Sequence, residues 1–132
     1  MLEPAAPSDR VIADTCVLID LQLQNAYALK LRTAYGNHQL ELSVTAAAEF
    51  MIGFANYPEQ GMQVLSAFDI KPITTDTIQL YAKIWNYLRK EGLPIGPNDV
   101  WIAATCIEHN VPLLTRNVRE FRRIPGLEVL TY

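Results

Sequence analysis

The chain has 132 residues, half of them hydrophobic and about a fifth charged, as suits a globular domain with a core of its own. A net charge of −3 argues against a general basic surface for nucleic acid, yet leaves room for an acidic centre neutralised by cations. No apolar run approaches the roughly 18 residues of a membrane span. Cys16 and Cys106 form no paired motif, so a reduced, cytoplasmic protein is expected.

Residues 1–9 are expected to form a flexible lead-in, because "MLEPAAPSDR" has neither the basic start nor the apolar stretch of a secretion signal. Residues 10–132 are expected to form a single domain. "RVIAD" predicts a strand, and "TCVLIDLQLQNAYALKLRTAYG" predicts one or two helices closed by Gly36. "QLELSV", residues 39–44, predicts a second strand. Thr45 is the expected N-cap of the helix "AAAEFMIGFAN", which ends before Tyr57-Pro58. A short helix near 59–67 and a strand at "FDIKPIT" follow.

The helix expected over 75–90 carries Ile78, Tyr81, Ala82, Trp85 and Leu88 at helical spacing, with Gly92 and Pro94 beyond its end. The next, near 98–109, places Val100, Ala103, Ala104 and Ile107 on one face. "VPLLT" and "LEVLT" predict two more buried strands. Strands alternating with helices imply an α/β fold with a mainly parallel central sheet covered on both faces.

In such sheets ligands gather at the carboxyl ends of the strands. Asp14 ends the first strand. Glu49 lies early in the helix after the second, Asp99 opens the helix that returns before "VPLLT", and Asn117 and Glu120 follow that strand. Each has an ordinary explanation when taken singly. Asp14 could cap a helix starting at Thr15, Glu49 could complement a helix dipole, Asp99 or Asn98 could cap, and Glu120 could be one solvated charge among several arginines. None of these explains four acids converging on one rim. Asp20, further along the first helix, is expected on the helix surface.

Carboxylates without accompanying histidines or thiols suit hard cations such as Mg²⁺ or Mn²⁺. The chemistry that such a site serves well is phosphodiester hydrolysis. His38 and His109 lack zinc-ligand spacing, and His109 is expected at the surface near a helix C-terminus. Neither GxxxxGK[ST] nor GxGxxG is present, and no GxSxG or Cys/His pair marks a covalent hydrolase. "DTCVLID" also lacks the second aspartate that an aspartyl-phosphate phosphatase would place two residues after Asp14.

The blocks "DTCVLIDL", "SVTAAAEFMIG", "GLPIGPNDVWIAATC" and "VPLLTRNVREFRRIPGLEVL" resemble the PIN-domain family, most nearly its VapC-type toxins. The resemblance spans residues 10–132, with four blocks in register. It implies a three-layer α/β/α PIN-like fold and a metal-dependent endoribonuclease toxin. Family acids fall on Asp14, Glu49 and Asp99, while Thr15 and Thr115 match small hydroxyl positions beside the site.

The fourth family acid has no clean match. Glu120 is the expected counterpart, with Asn117 as a polar ligand, which leaves open whether one or two ions are held. Family toxins cut single-stranded or loop RNA, in several cases a transfer RNA. They form homodimers and are silenced by a cognate antitoxin, which supplies the DNA binding of the complex. Arg116, Arg119, Arg122 and Arg123 could hold RNA phosphates, or could form a solvated turn with salt bridges. Trp101 and Tyr81 could stack bases, Tyr81 being the better core candidate. The competing reading is a PIN-fold RNA- or protein-binding module without catalysis, which Asn117 favours. A structure-specific DNA nuclease fits less well, for want of loops to grip a duplex.

Overall fold

The computed structural model describes residues 9–132, so the expected lead-in lies outside the described residues except for Asp9. Val11, Ile12 and Ala13 are fully buried, as befits the middle strand of a sheet covered on both faces. This strand, β1 (Arg10–Ala13), pairs with β2 (Gln39–Ser43) on one side and β4 (Leu113–Leu114) on the other. Beyond them lie β3 (Asp69–Lys71) and β5 (Val129–Leu130), giving the order β3-β2-β1-β4-β5 with every pairing parallel. Ala13 stands level with Leu42 and Leu114, so the three central strands finish together.

Alternate residues of β1 face two cores. Ile12 and Leu113 pack with α5 (Thr75–Lys90), α6 (Pro97–His109) and Phe121 of α7 (Val118–Phe121). Val11, Ala13 and Leu114 pack with α1 (Thr15–Leu23), α2 (Ala26–Tyr35), α3 (Val44–Ile52) and α4 (Pro58–Leu65). The architecture is therefore the three-layer α/β/α arrangement expected, and among the described residues no helix is long and apolar enough to cross a membrane.

The first helical segment, expected as one or two helices closed by Gly36, is two, because Gln24 turns left-handed at φ 51° and Asn25 then caps α2 through a bond from the Ala28 amide. Several other local expectations are corrected. Ser43, not Thr45, caps α3, accepting from the Ala46 amide at 3.0 Å. That helix stops at Ile52 with Gly53 as its C-cap, short of the expected Asn56. The N-cap of α6 is Gly96, with Pro97 fixing the first turn, so Asn98 does no capping.

The buried face of α5 is also rotated from the expected one. Thr77, Ile84 and Leu88 are buried, whereas Ile78 is 53% exposed and Ala82 is exposed. Thr77 turns inward because its hydroxyl answers Glu108 of α6 and the Thr74 amide, a polar demand that an apolar count does not see. In α6, Ile102 and Cys106 join the core while Ile107 is only half-buried. His109 lies in the last turn of α6 as expected and is partly exposed, its side chain 27% accessible, with Nε2 enclosed 4.0 Å from Glu108.

Away from the strand ends that carry the acids, Glu41 of β2 is 1% exposed and receives Arg10 Nε at 2.9 Å and Nη2 at 2.8 Å. Gln39 Nε2 adds a third bond at 3.1 Å. The two ends of this pair differ in solvent contact, Arg10 being 30% exposed. Removing the arginine charge leaves the buried carboxylate only Gln39 and the more distant Lys71 Nζ at 4.0 Å, whereas neutralising Glu41 leaves a cation that can reach water. Arg10→Gln should therefore cost about 2–3 kcal/mol and Glu41→Gln about 1 kcal/mol, as measured by urea unfolding at pH 7.

Candidate active site

The level ends of β1, β2 and β4 create the rim on which the acids meet. The chain leaves β1 toward β2 on one side and returns to β4 on the other, so a crevice opens between the outgoing segments. It has a volume of about 390 Å³ and is lined by Asp14, Thr15, Cys16, Glu49, Asp99, Arg116 and Asn117.

Asp14 is 7% exposed and serves as the N-cap of α1, accepting from the Thr15 amide at 2.8 Å. Its other oxygen accepts from Thr115 Oγ1 at 2.8 Å, a hydroxyl brought there by β4. Capping and site roles thus coexist in one carboxylate. Thr15 spans two acids: its amide binds Asp14 and its hydroxyl donates to Glu49 Oε1 at 2.9 Å. Glu49 sits in the second turn of α3 rather than the first, but on the face that looks into the crevice.

Asp99 approaches from the first turn of α6. Burial, and then the negative charges of Asp14, Glu120 and Glu49, raise its pKa from the ordinary carboxylate range to about 6. Burial also raises Asp14, outweighing the bonds from Thr115 and Thr15 that act in the opposite direction. Like charges have been assembled here at a cost.

Glu120 contributes to the repulsion on Asp99, but the residue lining the crevice at that corner is Asn117. The two are tied together, Asn117 Nδ2 donating to Glu120 Oε2 at 3.3 Å. The Asn117 amide in turn donates to Thr115 Oγ1 at 2.9 Å.

The basic residues divide. Arg119 and Arg122 are exposed, and Arg123 donates to the Pro94 carbonyl at 3.0 Å. Arg116 lines the crevice but is engaged by Asp20, through Nε at 2.8 Å and Nη2 at 3.1 Å. Asp20 is 1% exposed, so its expected place on the helix surface is overturned; Arg116, from the loop after β4, and Tyr132 enclose it. Tyr81 is half-buried between Trp85 and Trp101, its ring centre 4.1 Å from that of Trp101. Cys16, which lines the crevice, and Asp20, Tyr27 and Tyr132, which gather around its wall residue Arg116, were not singled out as site residues by the sequence. Asp20 and Cys16 sit in a helix apolar on several sides, and the tyrosines lie far from any motif.

All the acidic donors are carboxylate oxygens, a set suited to Mg²⁺ or Mn²⁺ rather than a softer ion. Among the described residues no three acidic, histidine or cysteine side chains lie close enough to enclose an ion by themselves. The open crevice therefore fits a cation that retains part of its water shell and takes one or two carboxylates directly.

The PIN domain family profile matches residues 11–127. The chain belongs to the PIN-domain family. It is 36% identical over 130 residues to Ribonuclease VapC1 of Rickettsia felis, covering 92% of this chain and 95% of that protein. Its fold is similar to VapBC2 from Rickettsia felis, solved bound to a promoter DNA fragment, with a TM-score of 0.78 and 26% identity over 93% of this chain and 98% of the other. A toxin-antitoxin complex from Klebsiella pneumoniae matches with a TM-score of 0.73 and 31% identity, covering 92% and 96% of the two chains.

The crowding of acids in this PIN domain has a measurable consequence. Folded Asp99 keeps its proton to about pH 6, whereas the unfolded chain releases it near about 3.9. The folded state thus binds more protons between those values, and stability falls as pH rises through them. With divalent ions chelated, Asp99→Asn should be more stable than the parent at pH 7 by on the order of 1–2 kcal/mol after allowance for solvent screening. The advantage should vanish by pH 4 in urea melts.

Proposed function

We propose that this chain is an endoribonuclease toxin, which hydrolyses RNA phosphodiester bonds with the help of a divalent cation and is silenced by a cognate antitoxin. The observation that carries this reading is the placement of Asp14, Glu49 and Asp99 on one crevice at the carboxyl edge of the sheet. Belonging to a family with relatives named ribonuclease then directs the chemistry toward RNA.

Asp14, Glu49 and Asp99 would hold the cation, with Glu120 and Asn117 completing the site. When bound there, Mg²⁺ or Mn²⁺ supplies the charge that a phosphodiester needs for in-line attack by water. The chain's own contribution is placement. Thr115 and the Thr15 amide fix both oxygens of Asp14, and the Thr15 hydroxyl fixes Glu49. Arg119 and Arg122 are exposed, on either side of Glu120 and Phe121 in the chain, and would meet flanking RNA phosphates.

Partners are supported by exposed apolar side chains. Next to the crevice, and sharing Glu49 with it, a groove is lined by Ile19, Leu23, Phe50 and Phe54. Leu23 is 67% exposed and Ile19 is 44% exposed, a surface suited to an antitoxin segment that also reaches the acids. Ile52, Tyr57 and Met62 are likewise exposed and suit a homodimer contact. DNA binding is assigned to the antitoxin, in keeping with the DNA-bound complex among the solved neighbours.

Asp14→Asn should lower RNA cleavage in Mg²⁺ by more than about 100-fold, since even outer-shell partners of metal sites are worth about 10–100-fold. Its circular dichroism should match the parent's and its urea midpoint should not fall below the parent's. Cleavage at the parent rate would overturn the assignment. Asn117, where a carboxylate is usual in the resembled family, favours a non-catalytic binding module as the second reading. Calorimetric titration with Mn²⁺ separates the two, because heat of binding that disappears in Asp14→Asn belongs to the enzyme reading.

A further inference from the structure

Asp20 is a buried carboxylate that the proposed chemistry does not use. Burying such a charge is costly unless it is fully paired, and an apolar residue of similar size commonly serves stability as well or better. Here the pairing comes from Asn25, five residues on, and from Arg116 and Tyr132, both about a hundred residues away. Arg116 donates Nε at 2.8 Å and Nη2 at 3.1 Å, Tyr132 donates its hydroxyl at 2.6 Å, and Asn25 donates Nδ2 at 3.0 Å. The Arg116 guanidinium also lies 4.2 Å over the ring of Tyr27, whose ring meets that of Tyr132 edge-on. The fork is thus held from its edge and from its face.

Arg116 stands between the two residues through which the β4–α7 loop reaches the acids. Thr115 Oγ1 binds Asp14, and Asn117 binds both Thr115 and Glu120. The Arg116 amide itself has a weaker acceptor, Cys16 Sγ at 3.5 Å. The Thr115 amide is anchored on the Leu130 carbonyl at 3.0 Å, so the Arg116 side chain is the strong tether of the loop beyond that point, and a bidentate pair sets direction as well as distance. The other end of the tether is on α1, whose first turn is capped by Asp14. One rigid helix consequently holds the loop at two points, Asp14 and Asp20.

We propose that Asp20 and Arg116, with Tyr132, form a clamp that positions the β4–α7 loop, so that Thr115, Asn117 and Glu120 are held in register with Asp14. Arg116 is in this role a positioning residue and not a phosphate contact. The activity part of the proposal rests on the ribonuclease reading; the geometric part does not.

Asp20→Asn, Arg116→Gln and the double variant test it, with Tyr132→Phe as a milder change that keeps the charge pair. Each of the first two should lower kcat by about 10–100-fold with KM for a short RNA nearly unchanged, as loss of an orienting partner does. The double variant should fall no further than the worse single one, because both break the same unit. The dependence of kcat/KM on salt should keep its slope. Tyr132→Phe should shift kcat in the same direction by a few-fold, and decides the matter if Asp20→Asn does not fold.

Independently of cleavage, amide hydrogen exchange at Asn117 should quicken by roughly tenfold in Asp20→Asn, while Ile12 and Leu42 in the sheet stay protected. Unchanged exchange at Asn117 overturns the clamp. So does an Arg116→Gln effect confined to KM with a reduced salt slope, which marks a phosphate contact instead. If the parent protein cuts no RNA, the ribonuclease reading fails, and faster exchange at Asn117 sustains the clamp by itself.

Discussion

The structure depends on one carboxylate held at the end of a fully buried strand. Asp14 follows Ala13 directly, and β1 is flanked by β2 and β4, so its backbone has almost no freedom to move. A short side chain on such a strand cannot drift far, and Thr115 and the Thr15 amide fix its two oxygens in turn. The other acids are placed relative to this point. Glu49 is coupled to it through Thr15, and Asp99 is driven up in pKa partly by its proximity.

That arrangement runs against stability. Burial and neighbouring negative charge raise the pKa of both Asp14 and Asp99, so part of the folding free energy is given up to hold these carboxylates together. A cation that binds only the folded state returns it through mass action. Strain of this kind, concentrated at one edge while two apolar cores close cleanly on either side of the sheet, is the usual signature of a functional site.

Two further buried acids show how differently a carboxylate can be used. Glu41 is paired with Arg10 on neighbouring strands, where the sheet already fixes the backbone, and the pair adds little to the placement of anything else. Asp20 is paired across nearly a hundred residues to a loop that has little regular structure of its own. A hydrogen-bonded charge fixes geometry most usefully where no ladder does so. The contrast is why Asp20, and not Glu41, bears on the site.

Much was determined by the sequence alone. The apolar run at 11–13, the alternation at 39–43 and the leucines at 113–114, interleaved with helical spacing, dictate a parallel α/β sheet, because periodicity is local and both faces must be covered. The meeting of Asp14, Glu49 and Asp99 at one edge was legible for the same reason: Asp14 follows a strand, Asp99 opens a helix and Glu49 lies a turn into one, and the direction of each element follows from chain order. What only the tertiary structure decided were contacts made by side chains from elements distant in sequence. Thr77 turned α5 because Glu108 lay opposite, Asn117 rather than Glu120 took the crevice wall, and Asp20 was buried by Arg116 and Tyr132. Local pattern cannot predict such pairs, since the partner that makes a polar residue tolerable inside is supplied by folding itself.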